Sequence, residues 1–213
     1  RGHDVTVANA GNSGDTASDG LARLEWSVPA GADIVIVEFG ANGSDRIDDT
    51  EALRACIAAA RAQRRVVWIP AGDYLMTGDI LVDSNVSIQG AGMWHSTFVG
   101  DAALYEQADR RVRVKLTGEN IDLADFAIVG ALNYRNDQEP NDGIVGAGCR
   151  DVSIARIWVE HTKAGAWIYN GTDVRITVCR FRNLIADGVN LCVATTRSLV
   201  ENCTARGTGD DCF

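Results

Sequence analysis

One short pattern recurs along this chain, as Asp151-Val152-Ser153-Ile154, then Asp173-Val174-Arg175-Ile176, then Arg197-Ser198-Leu199-Val200. The copies follow one another after 22 and then 24 residues. Two further β-rich pieces complete each repeat, for example residues 157–160 and 166–169. Short strands at this period, with no helix between them, are typical of the coils of a parallel β-helix, in which neighbouring strands lie about 4.8 Å apart.

The same pattern continues towards the N-terminus. Asn85-Val86-Ser87-Ile88 and Asn120-Ile121-Asp122-Leu123 match the start of the repeat and are separated by longer insertions. Upstream, residues 44–53 open an amphipathic helix that runs to about residue 63, with aspartates able to cap its first turn. This region resembles the entry segment of pectate-lyase-like β-helices. We therefore predict a mostly-β, right-handed parallel β-helix with a capping helix over residues 43–213, incomplete at its C-terminus.

The first 42 residues have a different character. A strand at residues 4–9, a helix from residue 16 to about 28 and a buried-type strand at 32–40 predict a short α/β (βαβ) fragment.

Residues 9–16 and Gly40-Ala41-Asn42 resemble conserved blocks of SGNH-type esterases and thioesterases. That resemblance implies that Gly14 and Asn42 are remnants of an oxyanion hole. The serine block and the Asp-x-x-His block of that family are absent, so esterase activity is not expected. A chimeric join near residues 39–43 is one explanation, and a genuine N-terminal strand is the other.

Composition limits the class of partner. The net charge of −9 argues against nucleic acid or an anionic membrane as a partner, and no apolar run approaches the length of a membrane span. The six cysteines form no CxxC pair, so no metal site is predicted. Cys179 and Cys203 fall one coil apart. This spacing is compatible with a disulfide or a metal-binding pair, but we expect an inward stack of small apolar side chains.

Aspartates recur at the same place in consecutive coils. Asp187-Gly188-Val189-Asn190 and Gly209-Asp210-Asp211-Cys212 are offset by one coil, so Asp187 should lie over Asp210 or Asp211. Carboxylates this close favour one protonated acid beside an ionised base, which is the pair that glycosidic cleavage requires. Turn formation or calcium binding by the three carboxylates is the alternative. We predict catalysis by Asp187, Asp210 and Asp211 without a cofactor.

Residues 125–213 resemble glycoside hydrolase family 87, the mycodextranases and α-1,3-glucanases. The resemblance is carried by residues 125–128, 157–167, 186–190 and 208–211. It implies an endo-acting, inverting hydrolase of a neutral α-glucan such as α-1,3-glucan, in which one aspartate is the general acid and the others activate water. A polymer-degrading enzyme of this kind is expected to be secreted.

Candidate substrate contacts are Asn190, Trp167 and His161. Trp158 and Trp167 alternate with other strand residues, so that one could belong to the core and the other could form a sugar platform.

Other functions remain open at this stage. The Gly-Asp-Asp-Cys string also resembles polygalacturonases, and Cys212 stands where family 87 usually has glycine. A non-catalytic polysaccharide-binding β-helix and an SGNH esterase fragment are further alternatives. Because the chain stops two residues after Asp211, its groove should be incomplete, and we expect the 213-residue chain to be weakly active or inactive.

Overall fold

The computed structural model describes residues 34–36, 48–63, 66–139 and 141–213. Within them one helix, α1 (Thr50–Gln63), is followed by a β-helix whose strands are all parallel. Successive coils contribute one strand each to three sheets, called A, B and C in chain order. The predicted mostly-β parallel β-helix with a capping helix is confirmed.

Sheet A contains β1 (Ile34–Ile36), β2 (Val66–Ile69), β5 (Val86–Gly90), β8 (Glu119–Ala124), β11 (Arg150–Ala155), β14 (Thr172–Thr177) and β17 (Leu199–Glu201). Sheet B contains β3 (Gly72–Met76), β6 (Ser96–Gly100), β9 (Ala127–Val129), β12 (Trp158–Glu160), β15 (Arg180–Leu184) and β18 (Thr204–Thr208). Sheet C contains β4 (Asp79–Val82), β7 (Arg113–Leu116), β10 (Ile144–Ala147), β13 (Ala166–Tyr169) and β16 (Val189–Cys192). A 3₁₀ turn, Ala108–Arg110, lies in the long insertion before β7.

A left-handed turn residue explains the polar start of the sequence repeat. The residue that opens each copy has a positive φ, between 50° and 60°, in five coils: Asn85, Asn120, Asp151, Asp173 and Arg197. Asparagine and aspartate tolerate this backbone region better than other non-glycine residues. Their side chains also join neighbouring coils, because Arg197 Nη2 donates to Asp173 Oδ2 at 2.7 Å and Asn120 Nδ2 to Asn85 Oδ1 at 2.9 Å.

The core is a set of inward columns, one residue per coil. Leu123, Ile154 and Ile176 occupy matching positions on β8, β11 and β14 and are fully buried. Phe98 and Phe126 stack with ring centroids 4.9 Å apart on the sheet B side. At the N-terminal end, α1 covers the first coil with Leu53 and Ile57, so the open end of the apolar interior is closed.

The predicted α/β fragment lies mostly outside the described residues, as do Gly14, Asn42 and the possible join at 39–43. Its last predicted strand is partly described: β1 pairs in parallel with β2, with Ile34 opposite Val66. This places Ile34–Ile36 in sheet A of the β-helix. The assignment of residues 1–42 to an SGNH-like unit stays a prediction.

The cysteine column has the predicted inward arrangement. All six cysteines in the described residues are free thiols. Cys179 is buried, and its backbone N–H donates to Cys203 Sγ at 3.4 Å. Hydrogen bonding from the Cys179 thiol lowers the pKa of Cys203 to about 6, although burial opposes this shift.

The described part of the chain holds no helix that is long and apolar enough to cross a membrane.

Truncating the core column should destabilise the whole β-helix. We predict that Ile154→Ala lowers the free energy of unfolding by about 2–5 kcal/mol, because it deletes buried methyl groups and leaves a cavity. Leu81→Ala, at a side chain that is 50% exposed, is the control and should change it by less than about 0.5 kcal/mol. The measurement is urea unfolding followed by circular dichroism. Equal effects of the two variants would contradict the assigned core.

The cysteine contact gives a second prediction. Alkylation of Cys203 by iodoacetamide should follow a titration near pH 6, because the thiolate is the reactive form and Cys179 stabilises it. Cys179→Val removes the donor and should move the titration towards the ordinary thiol range of about 8.5. Mass spectrometry of the Cys203 peptide across pH 5–9 measures both. An unchanged profile in Cys179→Val would show that the stack has no such effect.

Candidate active site

The three aspartates meet at the corner where sheet B turns into sheet C. Gly188 N–H donates to Asp211 O at 2.9 Å, and Val189 N–H donates to Cys212 O at 3.1 Å. These bonds set the register of the last two coils, so that Asp211 lies beside Asp187 and Asp210 beside Ala186. Asp210 N–H donates to Ala186 O at 3.4 Å, in agreement with this register. The sequence left open which aspartate of the pair stacks on Asp187, and the backbone bonds select Asp211.

Glycine allows the coils to stack this closely at the site. A Cβ atom on Gly188 would lie 2.2 Å from the carbonyl oxygen of Cys212, and one on Gly165 would lie 2.5 Å from that of Gly188. Any larger residue at either place would push neighbouring coils apart. Both glycines adjoin the aspartate corner, so they hold the carboxylates of consecutive coils at the inter-strand distance.

The corner forms an open pocket of about 460 Å³. Its lining brings together the three predicted catalytic aspartates and two of the three predicted substrate-binding residues, Asn190 and Trp167. The full lining is Arg135, Asp137, Lys163, Trp167, Ala186, Asp187, Asn190, Asp210 and Asp211.

The aspartates differ in their surroundings. Asp187 is only 8% exposed, and Asn190 Nδ2 donates to its Oδ2 at 2.7 Å. Asn190 lies three residues further on, in β16, so one strand start supplies both the carboxylate and the amide that orients it. Asp210 and Asp211 are exposed. The three aspartates, called the trio below, therefore combine one fixed, nearly buried carboxylate with two that are accessible to solvent.

A cation from a distant part of the chain contacts the trio. Arg135 lies between β9 and β10, and its Nη1 donates to Asp210 Oδ2 at 2.9 Å. Its Nε donates to Asp137 Oδ1 at 3.1 Å. Hydrogen bonds to Asp210 and then Asp137 raise the pKa of Arg135 above its ordinary value.

A buried arginine holds the segment that carries Arg135. The Arg111 side chain is 1% exposed, and its Nη1 donates to Glu139 Oε2 at 2.7 Å and also to Asn141 Oδ1. Its Nη2 donates to the Tyr134 hydroxyl at 2.6 Å. Glu139 and Tyr134 flank Arg135 in sequence, so this buried cation fixes one wall of the pocket from inside the molecule. A buried charge with this many partners is held firmly, because breaking one contact leaves the charge unsatisfied.

A second buried cation, Lys163, lines the pocket. Lys163 Nζ lies 3.5 Å from Asp142 Oδ1 and 5.4 Å from the centre of the Trp167 ring. That carboxylate oxygen has no hydrogen-bond partner among the described residues. Burial raises the pKa of Asp142, and Lys163 opposes this effect.

Neither tryptophan of the sequence prediction belongs to the core, so the expectation that one of them could do so was wrong. Strand alternation turns Val159 and Ile168 inward, and both are fully buried. Trp158 and Trp167 consequently point outward and are half-buried, Trp167 into the pocket and Trp158 onto the outer face of sheet B.

His161 is exposed and does not line the pocket. Its carbonyl accepts the Leu132 N–H at 2.9 Å, so its backbone holds the segment that leads to Arg135. A substrate contact by its side chain stays a prediction. The described residues contain no group of three or more His, Cys, Asp or Glu side chains that could hold a metal ion.

Comparison with known proteins gives a family match over most of the chain. The family model described as the α-1,3-glucanase catalytic domain D2 matches residues 45–213. Among curated proteins, mannuronan C5-epimerase AlgE3 of Azotobacter vinelandii is 41% identical over 161 residues, 68% of this chain and 9% of the epimerase.

Solved structures agree with the family match. The catalytic unit of a thermostable GH87 α-1,3-glucanase from Streptomyces thermodiastaticus strain HF3-3 is 31% identical, with a TM-score of 0.72 over 86% of this chain and 32% of that one. The catalytic domain of a GH87 α-1,3-glucanase in complex with nigerose is 26% identical, with a TM-score of 0.72 over 87% of this chain and 33% of that one.

The chain spans about a third of these solved chains and 8% to 21% of the curated relatives first matched. The matched region contains the whole aspartate pocket. The chain belongs to the α-1,3-glucanase catalytic domain family, through its D2 region.

Proposed function

We propose that this protein is an endo-acting, inverting glycoside hydrolase that cleaves α-1,3-glucan with Asp187, Asp210 and Asp211. The observation that carries the proposal is the meeting of all three carboxylates in one open pocket at the end of two consecutive coils. Family membership favours an α-glucan over the galacturonan of a polygalacturonase. Neighbouring GH87 structures hold nigerose or tetrasaccharides, which supports a saccharide polymer as the substrate.

Two solved GH87 structures add support for the three aspartates. Both are α-1,3-glucanase variants in which one aspartate is replaced by alanine, in complex with saccharide. The two replaced aspartates are separated by the same number of residues as Asp187 and Asp211. We infer that these two aspartates are functional in this chain as well.

Register suggests how the roles are divided. Asp187 and Asp211 are direct neighbours across two coils, so their carboxylates can hold one water molecule between them as its general base. Asp210 lies beside Ala186 and is not a member of that pair. We therefore assign it the role of protonating the glycosidic oxygen. Inversion requires such a division, since the acid and the water act on opposite sides of the sugar ring.

The other pocket residues position the reacting groups. Asn190 holds the Asp187 carboxylate, and the outward Trp167 ring offers a flat surface for the face of a sugar. Arg135 holds the Asp210 carboxylate through its Nη1 donor. We infer that the reaction needs no cofactor and that the protein acts outside the cell, because the proposed substrate is an insoluble polymer.

Substitution of the trio tests both the function and the roles. Asp187→Asn, Asp210→Asn and Asp211→Asn should each reduce the release of reducing ends from insoluble α-1,3-glucan by about 10²–10⁴-fold. On an α-1,3-glucan oligosaccharide with a nitrophenolate leaving group, which needs no proton, Asp210→Asn should keep most of its activity. Asp187→Asn and Asp211→Asn should lose activity on both substrates.

The control is Asp122→Asn, an exposed aspartate on sheet A, which should match the wild type on both substrates. Assays should use the longest form of the protein that its gene encodes. Full activity of Asp210→Asn on the polymer would contradict the proposed function. Loss of both activities in Asp210→Asn, together with recovery of the activated substrate in one of the other two variants, would reassign the general acid.

A further inference from the structure

The outer face of sheet B carries an aromatic pair that the catalytic pocket does not use. Trp94 lies in the turn before β6 and is 68% exposed. Its ring centre is 4.6 Å from that of Trp158, and the two rings are tilted by 54°. Trp158 pairs with Ala127 on β9, which lies between β6 and β12. Because Ala127 is small, the two indoles can meet across the strand between them.

Guanidinium groups extend this aromatic pair along the same face. Arg182 Cζ lies 5.2 Å from the Trp158 ring centre. Strand register places Arg180 beside Trp158 and Arg206 beside Arg182, so three arginines follow the tryptophans towards the later coils. Burial lowers the pKa of Arg182, and Arg180 and Arg206 lower it further, as expected for crowded like charges.

Two of these arginines, Arg180 and Arg182, are held in place without carboxylate partners. Arg180 Nη1 donates to Asn202 O at 3.3 Å, and Arg182 Nη1 donates to Thr204 O at 2.9 Å. Within the described residues, none of the three forms an ion pair. Arg180 and Arg182 therefore each reach across to a backbone carbonyl of the next coil. Fixed, unpaired donors beside an exposed indole are the combination that binds polar ligands with flat apolar faces.

The face adjoins the catalytic corner but is separate from the pocket. β15 and β18 run directly into the turns that carry Asp187 and Asp210. None of the five face residues lines the pocket. From β6 to β18 the strands succeed one another at about 4.8 Å, a step comparable to the length of one hexose.

We propose that Trp94, Trp158, Arg180, Arg182 and Arg206 form a second glucan-binding surface, which holds a chain of the insoluble substrate beside the catalytic pocket. The C–H face of a glucose ring packs on the exposed Trp94 indole, and the guanidinium N–H groups donate to sugar hydroxyls. The choice of α-1,3-glucan as the occupant rests on the proposed function and on the continuity of this face with the catalytic corner.

Binding is best measured in the Asp210→Asn background, in which the polymer is not degraded. Depletion from solution by insoluble α-1,3-glucan gives the apparent affinity. Trp94→Ala should weaken it about tenfold, as expected for loss of a central aromatic contact. Trp94→Leu, which keeps apolar bulk but lacks the flat ring, should weaken it similarly, and Arg182→Met should weaken it less.

The matched control is Leu199→Ala, an exposed apolar residue on sheet A, which should bind like the parent. Circular dichroism and thermal unfolding verify that each variant is folded. Unchanged binding in both folded Trp94 variants would overturn the inference. The inference would also be overturned if the face bound only an acidic polysaccharide such as alginate, with the strong salt dependence of a charge-driven contact.

The outcome is separable from that of the proposed function. If wild-type protein binds glucan through Trp94 but releases no reducing ends, this inference stands and the hydrolase proposal fails. If wild-type protein cleaves glucan while the Trp94 variants bind normally, the hydrolase proposal stands and this inference is overturned.

Discussion

The hydrogen-bonded register between consecutive coils is the constraint on which the rest of this molecule depends. Each coil supplies one strand to each sheet, and the backbone N–H groups of one coil donate to the carbonyls of the next. Residues that are 22 to 24 positions apart therefore become direct neighbours. This ladder brings together the side chains of the aspartate corner, which are far apart in sequence. Asp187 and Asp211 are joined in this way by the bonds of Gly188 and Val189, and the two glycines near the corner keep the ladder unbroken there.

Periodic features of the fold could be predicted from the sequence because the same physical requirement recurs in every coil. A left-handed residue at the start of the sheet A segment is Asn or Asp in most coils, and inward columns select apolar side chains such as Leu123 and Ile154. The aspartate corner could be predicted for the same reason, since two carboxylate strings are offset by one coil. What the spacing could not resolve was the choice between Asp210 and Asp211 as the neighbour of Asp187, because coils here differ in length by a residue.

Non-periodic features of the site were not predictable. Arg111 is buried in the irregular connection before β7, and Arg135, whose segment it fixes, lies in the irregular connection after β9. No repeat gives the position of either residue. Their charged side chains resemble ordinary surface residues until tertiary contacts show that Arg111 is buried. Lys163 lies within residues 157–167, which carry the resemblance to family 87. Its pairing with the buried Asp142, however, depends on the packing of two neighbouring coils. Trp158 could be placed on a strand, yet its contact with Trp94, which lies in a turn, crosses an intervening strand.

The central claim is that two neighbouring carboxylates activate a water molecule while a third protonates the leaving group. Its most direct test is proton NMR of the first product released from an α-1,3-glucan oligosaccharide, recorded before mutarotation. An initial β-anomer at the new reducing end is the predicted result, because water attacks from the face opposite the α-glycosidic bond. An initial α-anomer would mean retention through a covalent glycosyl-enzyme, and it would contradict the assignment of Asp187 and Asp211 as a shared base.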